Sequence, residues 1–422
     1  MRSSELLFFA LSIAAAAKGQ LANNAFVTPQ QLAAGAGDTK MKVQGYGFTS
    51  SMQVLWNGQP RATQFVNDFL LKVTITRSDL AAPTLGQLSV VDTSTGQAIA
   101  PAIPILVYLP LANNGATNDA MRGKIYVSVS VQDPNGPSLA IVDTVQGIVE
   151  RYIPLPSDPR TLALTADANY LYVGMTDRIR RIDLTGGTPN ADVPASVINA
   201  LVPSLSPSNT FAPTSLLALP NQDTSFIVAV DTGFVGGSAF VVDGTTVRPG
   251  YSNDAGTCLV GTPDGVTIYG GPGLRETTLS ATGLPFGPYY ENDSLDTGPT
   301  CPVYANGLIY GSDGDVVNPV SQTRVQWIAA SGNVDVVTEN GEIHFLDQQG
   351  GSGTSVSLQF KAFGMQSGSL LKNIPLGIQM SVANGGSSNG YLIHWGTNGV
   401  AFGDYSTLNS NVATRLYMFQ VP

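Results

Sequence analysis

The chain has 422 residues, only 12% of them charged, with 46 glycines and 27 prolines. Together those two fall below the ~25–30% that marks a disordered chain, so a turn-rich folded protein of one to three domains is expected. The net charge of −10, with 20 basic residues scattered along the chain, argues against nucleic acid as a partner and against simple adhesion to anionic lipid.

Residues 1–19 read as an export signal. Arg2 precedes an apolar run from Leu6 to Ala17, and small residues follow that suit cleavage between Ala17 and Gln20. Glu5 is out of place in such a region and leaves an uncleaved N-terminal anchor as the alternative. The run is shorter than the ~20 residues that span a bilayer, and no later stretch approaches it. The expectation is therefore a protein without a stable membrane anchor, secreted, periplasmic or at the cell surface.

From Phe26 to Tyr108 short strands alternate apolar and polar positions. "KMKVQGYGFTSSMQVLW" runs into Asn57-Gly58, a strong hairpin signal, and "FLLKVTITRSDL" and "GQLSVVDTST" continue the alternation. Six or seven strands in about eighty residues fit an immunoglobulin-like β-sandwich, with Trp56 and Phe65 in its core. Residues 109–121, rich in Asn and Gly, read as an exposed linker.

Residues 122–422 carry a recurring block. A short apolar run ends in a turn, and a second run closes on Asp or a Gly-rich stop, as in "NYLYVGMTDRIRRIDLTGG" from Asn169. Units begin near Arg122, Asp158, Pro213, Asn253, Gly298, Gly332 and Leu376. Their average spacing falls within the roughly 40–45 residues of a four-stranded propeller blade, so the array is read as seven blades, with six as the alternative count. Within one strand Leu171 and Val173 face one way and Tyr170 and Tyr172 the other, both sides apolar, as sheets stacked face to face around a ring require. The last unit lacks a fourth strand before Pro422, and a strand within Ile103 to Tyr108 is expected to complete it. The fold class is thus all-β.

The first module resembles an IPT/TIG domain through Pro29, Gly35, Gly45, Gly47, Phe48, Val54, Trp56, Gly58, Gly86 and Val90. The array resembles YVTN-type propeller repeats through Pro159, Leu162, Ala163, Asp167, Leu171, Tyr172, Val173, Ile182 and Asp183, and again through Ile125, Tyr126, Ile141, Val142 and Asp143. The pairing is similar to secreted two-domain proteins of soil bacteria. The resemblance implies architecture, with the first module a spacer or binding fold beside the larger array.

Chemistry-bearing motifs are sparse. Cys258 and Cys301 open equivalent pieces of neighbouring units; they either form a disulfide, if their Cα atoms come within ~4.4–6.8 Å, or remain two buried thiols. The two histidines, His344 and His394, are far apart in sequence and belong to no zinc-ligand cluster. Asp313, Asp315 and Asn318 offer oxygens at a spacing that suits calcium, but "GSDGDVVN" equally spells a turn, and no bidentate Glu follows. Ser252 follows Gly250 but lacks the second glycine of a nucleophile elbow, the Ser369–Lys372 pair lacks companion motifs, and Gly270–Leu274 lacks the Lys of a phosphate loop.

No catalytic residue and no cofactor are assigned on these grounds. The expected function is that of an exported, monomeric, non-catalytic protein presenting propeller loops to a protein or polysaccharide. The alternative is a propeller lyase or lactonase acting at the channel mouth, which a cluster of His, Asp or Glu on one face would favour.

Overall fold

The computed structural model describes residues 25–99, 101–186, 191–194, 196, 213–231, 237–253, 258–270, 274–285, 300–350, 355–381, 390–403 and 414–422. The expected signal segment, 1–19, lies outside them. The chain is nearly all β and divides into two compact units. The first is Met1–Pro110 with Pro375–Ile378 and Tyr417–Gln420; the second holds most of the remainder from Leu111 onward.

In the first unit two sheets share one core. One runs in the order Phe26–Thr28, Thr39–Gln44, Leu70–Ile75 and Thr63–Asn67, all antiparallel. The other places Ile103–Leu109 beside Thr84–Asp92, then Met52–Trp56 and Gln59–Pro60. The period-two pattern does the work of burial: Met41, Val43, Leu71 and Val73 of one sheet meet Val54, Trp56 and Val90 of the other. Asn57 and Gly58 both adopt positive φ, +49° and +76°, the two-residue hairpin geometry that the dipeptide favours.

Two features differ from the expectation. Phe65 is 39% exposed, because the edge strand Thr63–Asn67 bulges between Phe65 and Asn67 and turns the ring outward. More strands form than six or seven, because pieces such as Gln31–Ala33 and Gln97–Ala98 add themselves to the edges. The C-terminal strand Leu416–Gln420 lies next to Ile103–Leu109 in the sheet order, the neighbour expected for it. Its Tyr417 is fully buried, donates from its hydroxyl to Gln31 Oε1 at 2.6 Å, and packs edge-on against Tyr108.

The second unit is a propeller-like succession of antiparallel meanders. Sheet one comprises Asn113–Asp119, Lys124–Val129, Ser138–Asp143 and Ile148–Pro154; sheet two comprises Pro159–Leu164, Tyr170–Met175, Arg178–Asp183 and Ala191–Pro194. Sheet three starts at Pro213–Ala218, sheet four at Leu259–Gly261, sheet five at Val303–Ala305 and sheet six at Gly332–Val337. A hairpin, Leu392–Trp395 with Gly399–Gly403, follows. The first strand of each sheet touches the first strand of the next, and Leu392–Trp395 touches both Gly332–Val337 and Asn113–Asp119.

Apolar clusters fill the seams. Leu171 and Val173 pack with Tyr126 and Leu139 of sheet one, while Tyr172 packs with Phe226 and Phe240 of sheet three. The alternation read from the sequence therefore feeds two different cores from one strand, each buried aliphatic side chain stabilising by ~1.5–3 kcal/mol.

The repeated polar positions have turn chemistry. Thr165 donates to Asp167 at 2.6 Å and accepts from Tyr170 N–H, and Thr262 repeats this with Asp264 and Thr267. Asp143, ending a third strand, accepts from the Val145 and Gln146 amides.

The segment read as a linker, 109–121, is not one. It contains the first strand of sheet one, and the boundary between compact units falls between Pro110 and Leu111. The array accordingly starts before Arg122, which sits in the turn after that strand. At the other end Leu376 belongs to the last strand of sheet six, and the following strand opens at Leu392.

Candidate functional site: a histidine–carboxylate seam

The candidate metal ligands dissolve into local structure. Asn318 occupies the third-strand end of sheet five, the place that Asp143 holds in sheet one, and accepts from the Val320 and Ser321 amides at 3.0 and 3.1 Å. Asp313 accepts from the Asp315 amide, and the buried Asp315 carboxylate pairs with Arg324 at 3.1 Å. These oxygens are engaged in a turn and an ion pair rather than aimed at one point. No group of three or more His, Cys, Asp or Glu among the described residues is arranged to hold a metal ion.

Cys258 and Cys301 are joined in a disulfide with Cα atoms 5.1 Å apart. Cys258 immediately precedes the first strand of sheet four and Cys301 lies two residues before that of sheet five, so the bond staples the two sheets where those strands begin. Ser252 is buried on a strand, and Ser369 stands with its hydroxyl against that of Ser367. Of the Gly270–Leu274 piece, residues 271–273 lie outside the described set.

The structure does bring the two histidines to one seam. Asp335 lies on the first strand of sheet six, directly across from His344 on the second, with Glu342 two residues before it. Paired and alternate positions share a sheet face, so Asp335, His344 and Glu342 point the same way. From the neighbouring hairpin His394 reaches across, its Nδ1 2.8 Å from Asp335 Oδ2. His344 Nε2 lies 2.9 Å from Glu342 Oε2, and its ring meets Phe360 edge-on.

The two imidazoles stand in opposite environments. His344 is 2% exposed, its Nδ1 has no hydrogen-bond partner among the described residues, and burial lowers its pKa below the ordinary histidine value. His394 retains 31% of its side-chain surface, and the hydrogen bond to Asp335 raises its pKa. An Asp that accepts from one ring nitrogen fixes the tautomer and turns the other outward, which is the arrangement of an oriented acid–base group.

Two neutral bonds flank this pair across the same seam. Asn333 donates from Nδ2 to the Gly390 carbonyl, and Asn340 donates to the Thr397 carbonyl at 2.6 Å. Sequence reading missed the association because Asp335 and His394 are 59 residues apart. The available signal was their equivalent placement on the first strands of consecutive units.

The chain matches no protein-family model and no curated protein. Solved structures similar to it include hydrazine synthase of Kuenenia stuttgartiensis, 13% identical over 69% of this chain and 73% of that one, with a TM-score of 0.35. A quinoprotein alcohol dehydrogenase-like protein of Bacteroides thetaiotaomicron is 11% identical over 85% and 98%, with a TM-score of 0.42. A functionally unknown protein of Desulfotomaculum acetoxidans is 12% identical over 68% and 92%, with a TM-score of 0.44. At these levels the likeness bears on no residue of the seam.

Proposed function

We propose that the chain is an exported, non-catalytic binding protein. In this reading an IPT/TIG-type immunoglobulin-like module accompanies a seven-bladed YVTN-type propeller whose turns offer a rigid surface to a protein or polysaccharide. The observation that carries it is the run of first strands from Asn113–Asp119 through Gly332–Val337, with Leu392–Trp395 touching both ends of that run. Seven such strands support a count of seven blades, and an array closed in that way would hold its connecting turns in fixed relation, which lowers the ordering cost of binding. Support also comes from the polar motifs, whose oxygens serve turns and ion pairs. The protein acts as a monomer without cofactor and outside the cytoplasm.

Calorimetry against envelope and matrix polysaccharides, together with a pull-down from the producing cell's exported proteins, tests this. A saturable partner in either is expected, and silence in both refutes the reading.

One observation favours a second reading, a lyase or lactonase: the partly exposed His394 oriented by Asp335. It predicts turnover on a panel of lactones and uronates that His394→Asn removes. Absence of turnover by the purified wild-type protein disposes of it.

A further inference from the structure

Histidine is the only side chain whose ordinary pKa lies between pH 5 and 8. This chain has two, and both stand at the junction of sheet six with the Leu392–Gly403 hairpin. That hairpin supplies the strand touching both Gly332–Val337 and Asn113–Asp119, so the junction is where the succession of sheets comes back to its start. Among the described residues, the direct links across it include Asn333 to Gly390, Asn340 to Thr397, and the pair between Asp335 and His394. Of these only the last changes charge near neutrality.

We propose that this junction is a pH-sensitive clasp, in which the bond between His394 and Asp335 holds the Leu392–Gly403 hairpin against sheet six and the hairpin loosens when His394 is neutral. The charged groups acting on His394 are the Asp335 and Glu339 carboxylates. Those acting on His344 are Glu342 and Asp335, with His394 opposing them. On the hairpin's other flank the strand Asn113–Asp119 brings Asp119, whose carboxylate is already bonded to Arg122 and to the Tyr126 hydroxyl. It also brings Asn113, which accepts from Tyr391 at 2.8 Å and does not titrate.

The two histidines give the clasp a two-sided response. His394 has a raised pKa, so its contribution is complete below the ordinary histidine value and is lost as pH rises through the folded value. His344 has a lowered pKa and is accommodated neutral, so stability falls as pH drops below the ordinary value toward the folded one. The junction is therefore firmest near the ordinary histidine pKa, about 6.5.

Hydrogen exchange of the full chain tests this, with amides of residues 392–403 followed from pH 5 to 9 and corrected for the chemical rate. Protection of the hairpin is expected to peak near the middle of that range and fall several-fold on the alkaline side, while amides of Tyr170–Met175 in sheet two stay level. Asp335→Asn keeps a hydrogen-bonding oxygen but removes the charge, and should flatten the alkaline limb. A flat wild-type profile, or an alkaline limb that survives in Asp335→Asn, overturns the proposal. Should that variant fail to fold, proton NMR of the two imidazoles in the wild-type protein decides instead. One is expected to titrate above and one below the free histidine value, and two unshifted titrations defeat the clasp.

Discussion

Asp79 shows how one carboxylate can close its own turn and tie it to a second backbone segment. It accepts from Arg61 Nε at 2.6 Å, from the Thr76 amide at 3.0 Å and from the Thr76 hydroxyl at 2.7 Å, closing the short turn Arg77–Leu80. The Arg61 guanidinium, reinforced by Thr76, lowers the Asp79 pKa from its ordinary 3.8 to about 2. A depressed carboxylate contributes stability that is present above its unfolded value and is lost as pH falls through the folded one. Asp79→Asn should therefore cost on the order of 1–2 kcal/mol at pH 7, with the difference from wild type shrinking between pH 4 and pH 2 in urea unfolding. Gly86 makes a steric counterpart. A Cβ there would overlap the buried Trp56 ring, so Gly86→Ala should destabilise the first unit by ~1–3 kcal/mol and shift Trp56 fluorescence.

Strands built on alternating apolar residues were legible in the sequence because both faces of a stacked sheet are dry, as with Tyr170–Met175. The strand Asn113–Asp119 was not, because its polar residues have the composition of a loop. In the fold they are partnered: Asn113 meets Tyr391, and Asn114 donates to the Pro159 carbonyl at 2.6 Å. The same limit hid the candidate site. His394 and Asp335 each look like an isolated polar residue on a strand, and only the stacking of consecutive units pairs them. At this scale the disulfide makes its own prediction. It closes a segment of 43 residues between the starts of two neighbouring sheets. Replacing both Cys258 and Cys301 with Ser should lower stability by ~2–4 kcal/mol, read as a lower denaturant midpoint that reductant reproduces in the wild type.

Across the whole molecule, the first compact unit draws on both ends of the chain. Residues Tyr417–Gln420 belong to it, and their strand borders Ile103–Leu109. A fragment spanning residues 25–110 would leave bare the backbone donors and acceptors of Ile103–Leu109 that Leu416–Gln420 covers, since Gln31–Ala33 pairs only with Leu106–Tyr108, and this invites intermolecular pairing. We expect it to associate in sedimentation experiments and to become monomeric and more thermally stable when a peptide covering residues 414–422 is added. A fragment equally stable with and without the peptide would show the terminal strand to be dispensable.

The arrangement also sets a timetable. A ribosome delivers the N-terminal module first, yet that module cannot finish its sheet until the strand Leu416–Gln420 has been made. Until then the nascent protein carries an unfinished border, and a translation stop anywhere between those two strands would leave its earlier-made part incomplete as well.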